Sequence, residues 1–358
     1  MQKNIFVILL FLASIINARE NLVVTKDIPL TLDSSLQKQV QSLAQSMKER
    51  FQAKGVSVAV INSKTGDILG LTDSSGDVIK DFPKNNIASF TYEPGFVIAP
   101  TVFSLALDKK LITPVELING HQGHYRIRKM TITDHYPFDY LSATNVIVHS
   151  SSIGIAQIAQ KIKEQEYRGG LVKFGFTKPA VDWFSNENSG YIPNERRMKS
   201  DIYRVTSAYG YGIKVNLLQL LRAYNVFNNN GLLIKLKIFA NIKATTSPKT
   251  VLDAKTAHAM KKILIETVEK GTGKMAETQG LEIGGKTGTA HVVKNGRYIK
   301  EYNCSFVGFV NGAKKSYTIA VLVREPQTKK YASETAVVVF KGVVDVLVQE
   351  KLLKKDIK

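Results

Sequence analysis

The last third of the chain constrains the fold most. Three extended apolar stretches, Gly284 to Val293, Cys304 to Val310 and Tyr317 to Arg324, follow one another between two helical patterns, Ala254 to Lys270 and Ala336 to Leu352. Near the start, Asp33 or Ser34 can N-cap a helix running to about Lys54, with Gly55 as its stop. Leu36, Val40, Leu43, Met47 and Phe51 step by four, three, four and four residues and form one face of it. Val56 to Ile61 and Ile68 to Leu71 flank the turn-forming run Asn62 to Asp67, which makes a hairpin. Further helices are expected from about Phe96 to Lys109, from Leu141 to His149, from Ile153 to Lys163 and from Leu217 to Phe227, with loops and short strands over residues 111 to 140. Strands and helices in this arrangement predict an α+β domain, an antiparallel sheet flanked by helices.

A chain of 358 residues that is 44% hydrophobic and 22% charged has ample material for a core. It is not a disordered tail or a disulfide mini-scaffold. Only residues 5 to 16 form a strongly apolar run, which excludes a polytopic membrane protein. That run follows Met1-Gln2-Lys3 and leads to Asn17-Ala18. Its length and small final residue predict a signal peptide over residues 1–18, with a short uncleaved membrane anchor as the alternative. Residues 19–28 are then a linker, residues 29–350 the main domain and residues 351–358 a basic C-terminal tail. On either reading the domain is exported, and membrane contact runs through the N-terminal segment if it is retained.

The formal charge is +19, with 38 lysines against 11 arginines. Arginine is the preferred residue for bidentate phosphate recognition. No nucleic-acid motif accompanies the charge, so no nucleic-acid partner is expected. The one cysteine, Cys304, forbids an intrachain disulfide. The six histidines are scattered, and no cluster has metal-ligand spacing. No metal and no cofactor is expected.

Lys286-Thr287-Gly288-Thr289 carries coherent chemistry. On a strand lining a cleft, Lys286 sets a positive field, Thr287 and Thr289 present hydroxyls to a carboxylate, and Gly288 lets a substrate backbone approach. Several further strings occur in a fixed order around it. They are Leu30-Thr31-Leu32-Asp33 with Leu36-Gln37, Asn62 to Leu69, Tyr92-Glu93-Pro94-Gly95, Gly210-Tyr211-Gly212 with Leu217 to Leu220, Gly284 to Ala290, and Ser305 to Phe309. With these the chain, over about residues 29 to 350, resembles the transpeptidase domain of the class B penicillin-binding proteins, which cross-link peptidoglycan in division and elongation. The resemblance implies the penicillin-binding-protein, serine β-lactamase-like fold, with an all-helical subdomain beside the sheet. It also implies a bacterial envelope location, periplasmic and either soluble or held at the inner membrane by the N-terminus. Peptidoglycan stem peptides and cell-wall synthesis proteins are the partners it suggests. The family's N-terminal pedestal, with its docking surfaces, is not expected in the short stretch between Ala18 and Leu30.

That family works through Ser-x-x-Lys, Ser-x-Asn and Lys-Thr-Gly. After the lead-in Tyr92 to Gly95, this chain places Phe96 at the nucleophile position and Ala99 at the general-base position. A phenyl ring carries no nucleophile and a methyl group no lone pair. The second motif is Ser150-Ser151-Ser152, so its first serine is kept and Ser152 replaces the asparagine. Only the third motif is complete. The expectation is a pseudoenzyme with a vestigial cleft of Ser150, Ser152, Lys286, Thr287, Gly288 and Thr289, acting as a binding or scaffolding subunit. Two alternatives stay open: an active enzyme with an unrecognised nucleophile, and a non-covalent receptor for stem peptides or β-lactams. Ser35 with Lys38, Thr101, Ser104 and Ser150 are the hydroxyls weighed as replacements. If the resemblance holds, Ser150 and Lys286 lie within hydrogen-bonding reach, with Phe96 beside them.

Overall fold

The computed structural model describes residues 29–75, 86–181, 184, 186–240 and 247–355. The N-terminal segment expected to direct export, and the linker up to residue 28, lie outside the described residues. The helices are α1 (Ser34–Phe51), α2 (Asn86–Ser89), α3 (Ala99–Asp108), α4 (Ala143–Val148), α5 (Ser152–Lys161), α6 (Glu164–Lys173), α7 (Glu195–Met198), α8 (Asp201–Ala208), α9 (Leu217–Asn228), α10 (Ala254–Lys270) and α11 (Ala336–Gln349). The strands are β1 (Gly55–Asn62), β2 (Ile68–Asp73), β3 (Leu117–Asn119), β4 (His124–Ile127), β5 (Met130–Thr133), β6 (Tyr140–Ser142), β7 (Leu232–Leu233), β8 (Lys249–Thr250), β9 (Glu282–Lys294), β10 (Arg297–Asn311) and β11 (Ser316–Arg324). Among the described residues no helix is long and apolar enough to cross a membrane.

Five strands form one antiparallel sheet in the order β2-β1-β11-β10-β9. The period of two sends alternate residues to opposite cores. Val58, Val60, Phe306, Ile319 and Val321 join Leu36 and Val40 of α1 and Phe340 and Val344 of α11. Ala59, Ile61, Val307, Phe309 and Ala320 face α3, α9 and the helices beyond them. That second lobe is not wholly helical as expected. The pairs β3–β6 and β4–β5 are inserted between α3 and α4.

Three boundaries differ from expectation for local reasons. Helix α1 stops at Gln52, whose left-handed φ of 47° turns its N–H back to Lys48 and Glu49. Gly55 instead opens β1, because a Cβ there would lie 2.2 Å from the Arg324 guanidinium. Helix α3 begins at Ala99, after a 3-10 turn Gly95–Ile98. Pro100 has no N–H to give to the Phe96 carbonyl, and the Ala99 N–H takes that acceptor in a tighter turn. Helix α11 ends at Gln349, and just beyond it Leu353 is buried and the Leu352 carbonyl accepts from the Tyr317 hydroxyl at 2.9 Å.

Candidate active site

Lys286 lies on β9 opposite Val307 and shares its face, which looks onto the helical lobe. Its side chain is fully buried. The ammonium donates to Ser150 Oγ at 2.5 Å, to Thr272 Oγ1 at 3.1 Å and to Thr287 Oγ1 at 3.2 Å. It also sits 5.2 Å from the centroid of the Phe96 ring, within cation–π range. Among the described residues no carboxylate pairs with it. Burial alone therefore lowers its pKa from 10.5 to about 7.

Each partner arrives by a different local device. Ser150 occupies the break between α4 and α5 with φ of 61°, a left-handed conformation uncommon outside glycine. The next residue holds that break in place. Ser151 N-caps α5 by accepting the Gly154 N–H, and donates to Asp134, whose other oxygen accepts the Ile153 N–H. Burial raises the Asp134 pKa. Ser152 becomes the first residue of α5 and is half-buried. Thr272 follows Gly271, the end of α10, and its hydroxyl meets that of Thr287 at 2.7 Å.

Phe96 and Ala99 are held in the turn before α3 and at its first residue. Ala99 is fully buried and Phe96 is 9% exposed. The turn is fastened from two sides: the Tyr224 hydroxyl of α9 donates to the Val97 carbonyl at 2.6 Å, and the Gly95 N–H meets the Gly210 carbonyl at 3.3 Å. Glu93, just before it, accepts the Gly212 N–H at 2.8 Å, and burial raises its pKa.

Two residues of the Lys-Thr-Gly-Thr string sit differently from expectation. A Cβ on Gly288 would lie 2.4 Å from the Pro94 carbonyl and 2.9 Å from Val97 Cβ, so its bareness admits the chain's own turn. The substrate approach foreseen for it is not needed to explain the glycine. Thr289 Oγ1 accepts the Ala332 N–H at 3.0 Å, which ties its hydroxyl to the segment before α11. The structure thus brings Ser150, Lys286, Thr287 and Phe96 together. Asp134, Ser151 and Thr272 were not read from the sequence. The pattern Gly271-Thr272 at a helix end carried a signal for Thr272, whereas no motif pointed to Asp134.

Among the other hydroxyls considered, Thr101 and Ser104 are buried and donate to carbonyls three residues back, Thr101 to Ile98 in the preceding turn and Ser104 to Thr101. Ser35 donates to Glu350 at the far side of the sheet. Of the four, only Ser150 touches Lys286.

The family model of the penicillin-binding protein transpeptidase domain matches residues 56–345. The chain belongs to this family. Its structure is similar to the transpeptidase domain of Burkholderia pseudomallei penicillin-binding protein 3, at 29% identity with a TM-score of 0.83, covering 92% of this chain and 98% of that one. Its sequence is 28% identical over 315 residues to the probable peptidoglycan D,D-transpeptidase PenA of Neisseria gonorrhoeae, covering 86% of this chain and 54% of that protein. To the peptidoglycan D,D-transpeptidase FtsI of Escherichia coli it is 26% identical over 317 residues, covering 85% and 53%. The chain spans about half the length of these curated relatives.

The buried Lys286 predicts a pH signature. Its folded pKa lies below its unfolded value, so the unfolded chain binds the proton more tightly. The cost of burying the ammonium is fully present below pH 7 and is relieved as pH rises from about 7 toward 10.5. The limiting slope is about 1.4 kcal/mol per pH unit. Above pH 9 the opposite sign enters, because burial raises the Cys304 thiol to about 11 and an unfolded thiol ionises first. Unfolding free energies of the parent and of Lys286→Met, measured from pH 6 to 9, should converge as pH rises, with the variant more stable at pH 6. Parallel profiles would remove the buried ammonium from the account.

Proposed function

We propose that this chain is an exported, cell-envelope relative of the peptidoglycan transpeptidases that binds stem peptides without acyl transfer, as a binding or scaffolding subunit of cell-wall assembly. One observation supports it above the others: where the resemblance expects a serine hydroxyl, the Phe96 ring stacks on the Lys286 ammonium. Ala99, one turn later, is buried and has no group that accepts a proton. What remains to meet a peptide carboxylate are the hydroxyls of Ser150, Thr272 and Thr287, backed by the charge of the enclosed Lys286 ammonium that donates to all three. The relatives named PenA and FtsI suggest the substrate class and a role in division.

A second reading has its own observation. Ser150 Oγ lies 2.5 Å from Lys286 Nζ, and an amine with a pKa near 7 can serve as a general base. Calorimetric titration with a pentapeptide ending in D-Ala–D-Ala, followed by mass analysis of the peptide, decides between them. The proposed function expects saturable binding, weakened in Lys286→Met, with the peptide recovered intact. Release of D-alanine would support the second reading. Absence of binding by the folded protein would sink the proposal.

A further inference from the structure

A cavity of about 700 Å³ opens on the side of α9 away from the cleft. Arg222 lines it, whereas Tyr224, two residues on and about 200° round the helix, reaches under the cleft to Val97. Its described lining holds five cations, Lys173, Lys178, Arg222, Lys235 and Lys249, and no carboxylate. The nearby carboxylate of Glu187 is occupied by the N–H groups of Ala180 and Val181 and by the Asn216 amide.

The cationic wall is built rather than incidental. Arg222 is only 7% exposed, and its guanidinium is clamped by the carbonyls of Pro179 at 2.8 Å and Gly175 at 2.7 Å. Gly175 has φ of 91°, and a Cβ on it would lie 2.4 Å from Arg222 Nη2. Lys173, Lys178 and Lys249 are exposed at the rim, and none is in an ion pair among the described residues. Val172, Val181, Leu233, Ile234 and Val251 make an apolar wall beside the cations, with Ser247 and Thr250 as the hydroxyl-bearing residues of the described lining. A bare inorganic anion would leave that apolar wall wet, and an uncharged lipid would leave Lys173, Lys178 and Lys249 unanswered. The volume is that of a small-molecule site.

We propose that this cavity binds a phosphate-headed amphiphile, with the phosphate against Lys173, Lys178 and Lys249 and the alkyl chain along Val172, Leu233 and Val251. Several convergent cations select a multiply charged head over a carboxylate. Burial of the chain supplies most of the affinity. The site is separate from the cleft, so the proposal stands or falls independently of acyl transfer.

The test is calorimetry with decyl phosphate kept below its micelle concentration, beside inorganic phosphate and decyl maltoside. The expected result is one decyl phosphate per chain, bound at least about tenfold tighter than either comparison ligand. The exposed pair Lys178→Glu with Lys249→Glu should weaken it by about tenfold or more, with the melting temperature unchanged. Absence of saturable binding would overturn the assignment. So would equal binding of inorganic phosphate or decyl maltoside, or unaltered affinity in the charge-reversed variant.

Discussion

Incubated with a penicillin, the purified protein is expected to keep its untreated intact mass. The residue facing Lys286 from the turn before α3 is Phe96, and a phenyl ring forms no ester with a strained lactam. In a hydrolase, loss of the nucleophile lowers turnover by roughly 10⁶, and a collapse on that order is expected for acylation here. Lys286 cannot replace a serine while it is fully enclosed by three hydroxyls and a ring. A stable gain of one β-lactam would overturn the expectation. Mapped to Ser150, that gain would establish the second reading of the cleft.

Restoring the family's residues is expected to harm the fold before it restores chemistry. In the double variant Phe96→Ser with Ala99→Lys, removal of a nearly buried ring costs roughly 3 kcal/mol. It also removes the π-face against which Lys286 rests. A lysine at the fully buried position 99 adds a second ammonium to a region where, among the described residues, no carboxylate pairs with the first. The melting temperature should fall, and Ala99→Lys alone should account for part of the fall. Fluorescent penicillin should label the variant weakly, since Ser152 lacks the amide expected at that place in the family. Unchanged stability together with rapid labelling would mean that two side chains alone separate this cleft from a working one.

Much of this fold was legible because the interior repeats what the sequence repeats. The 3.6-residue face of Leu36, Val40 and Phe51 is the buried face of α1, and the alternation along β1 and β10 divides the two cores. Ends were less legible. Nothing in the string around Gln52 announces a left-handed stop, and Gly55 was the more conventional candidate. The cleft was legible only through the family resemblance, because no local period connects Ser150 with Lys286, 136 residues apart. Gly288 shows a further gap. A bare position on a strand signals close approach, but not whether a ligand or the chain itself makes it. Asp134 lies 17 residues before the serine it holds, and only the packing of the β4–β5 hairpin brings it there.

The turn that carries Phe96 is located by backbone and by emptiness. Gly95 meets Gly210 main chain to main chain, Gly288 leaves room for the Pro94 carbonyl, and Tyr224 grips the carbonyl of Val97. None of these fastenings involves the side chain of residue 96 or 99. Substitutions at those two positions therefore leave these fastenings in place and act through packing and charge within the groove. A lineage carrying this fold can lose its reaction without losing its shape, and the shape stays open to selection for whatever else it holds.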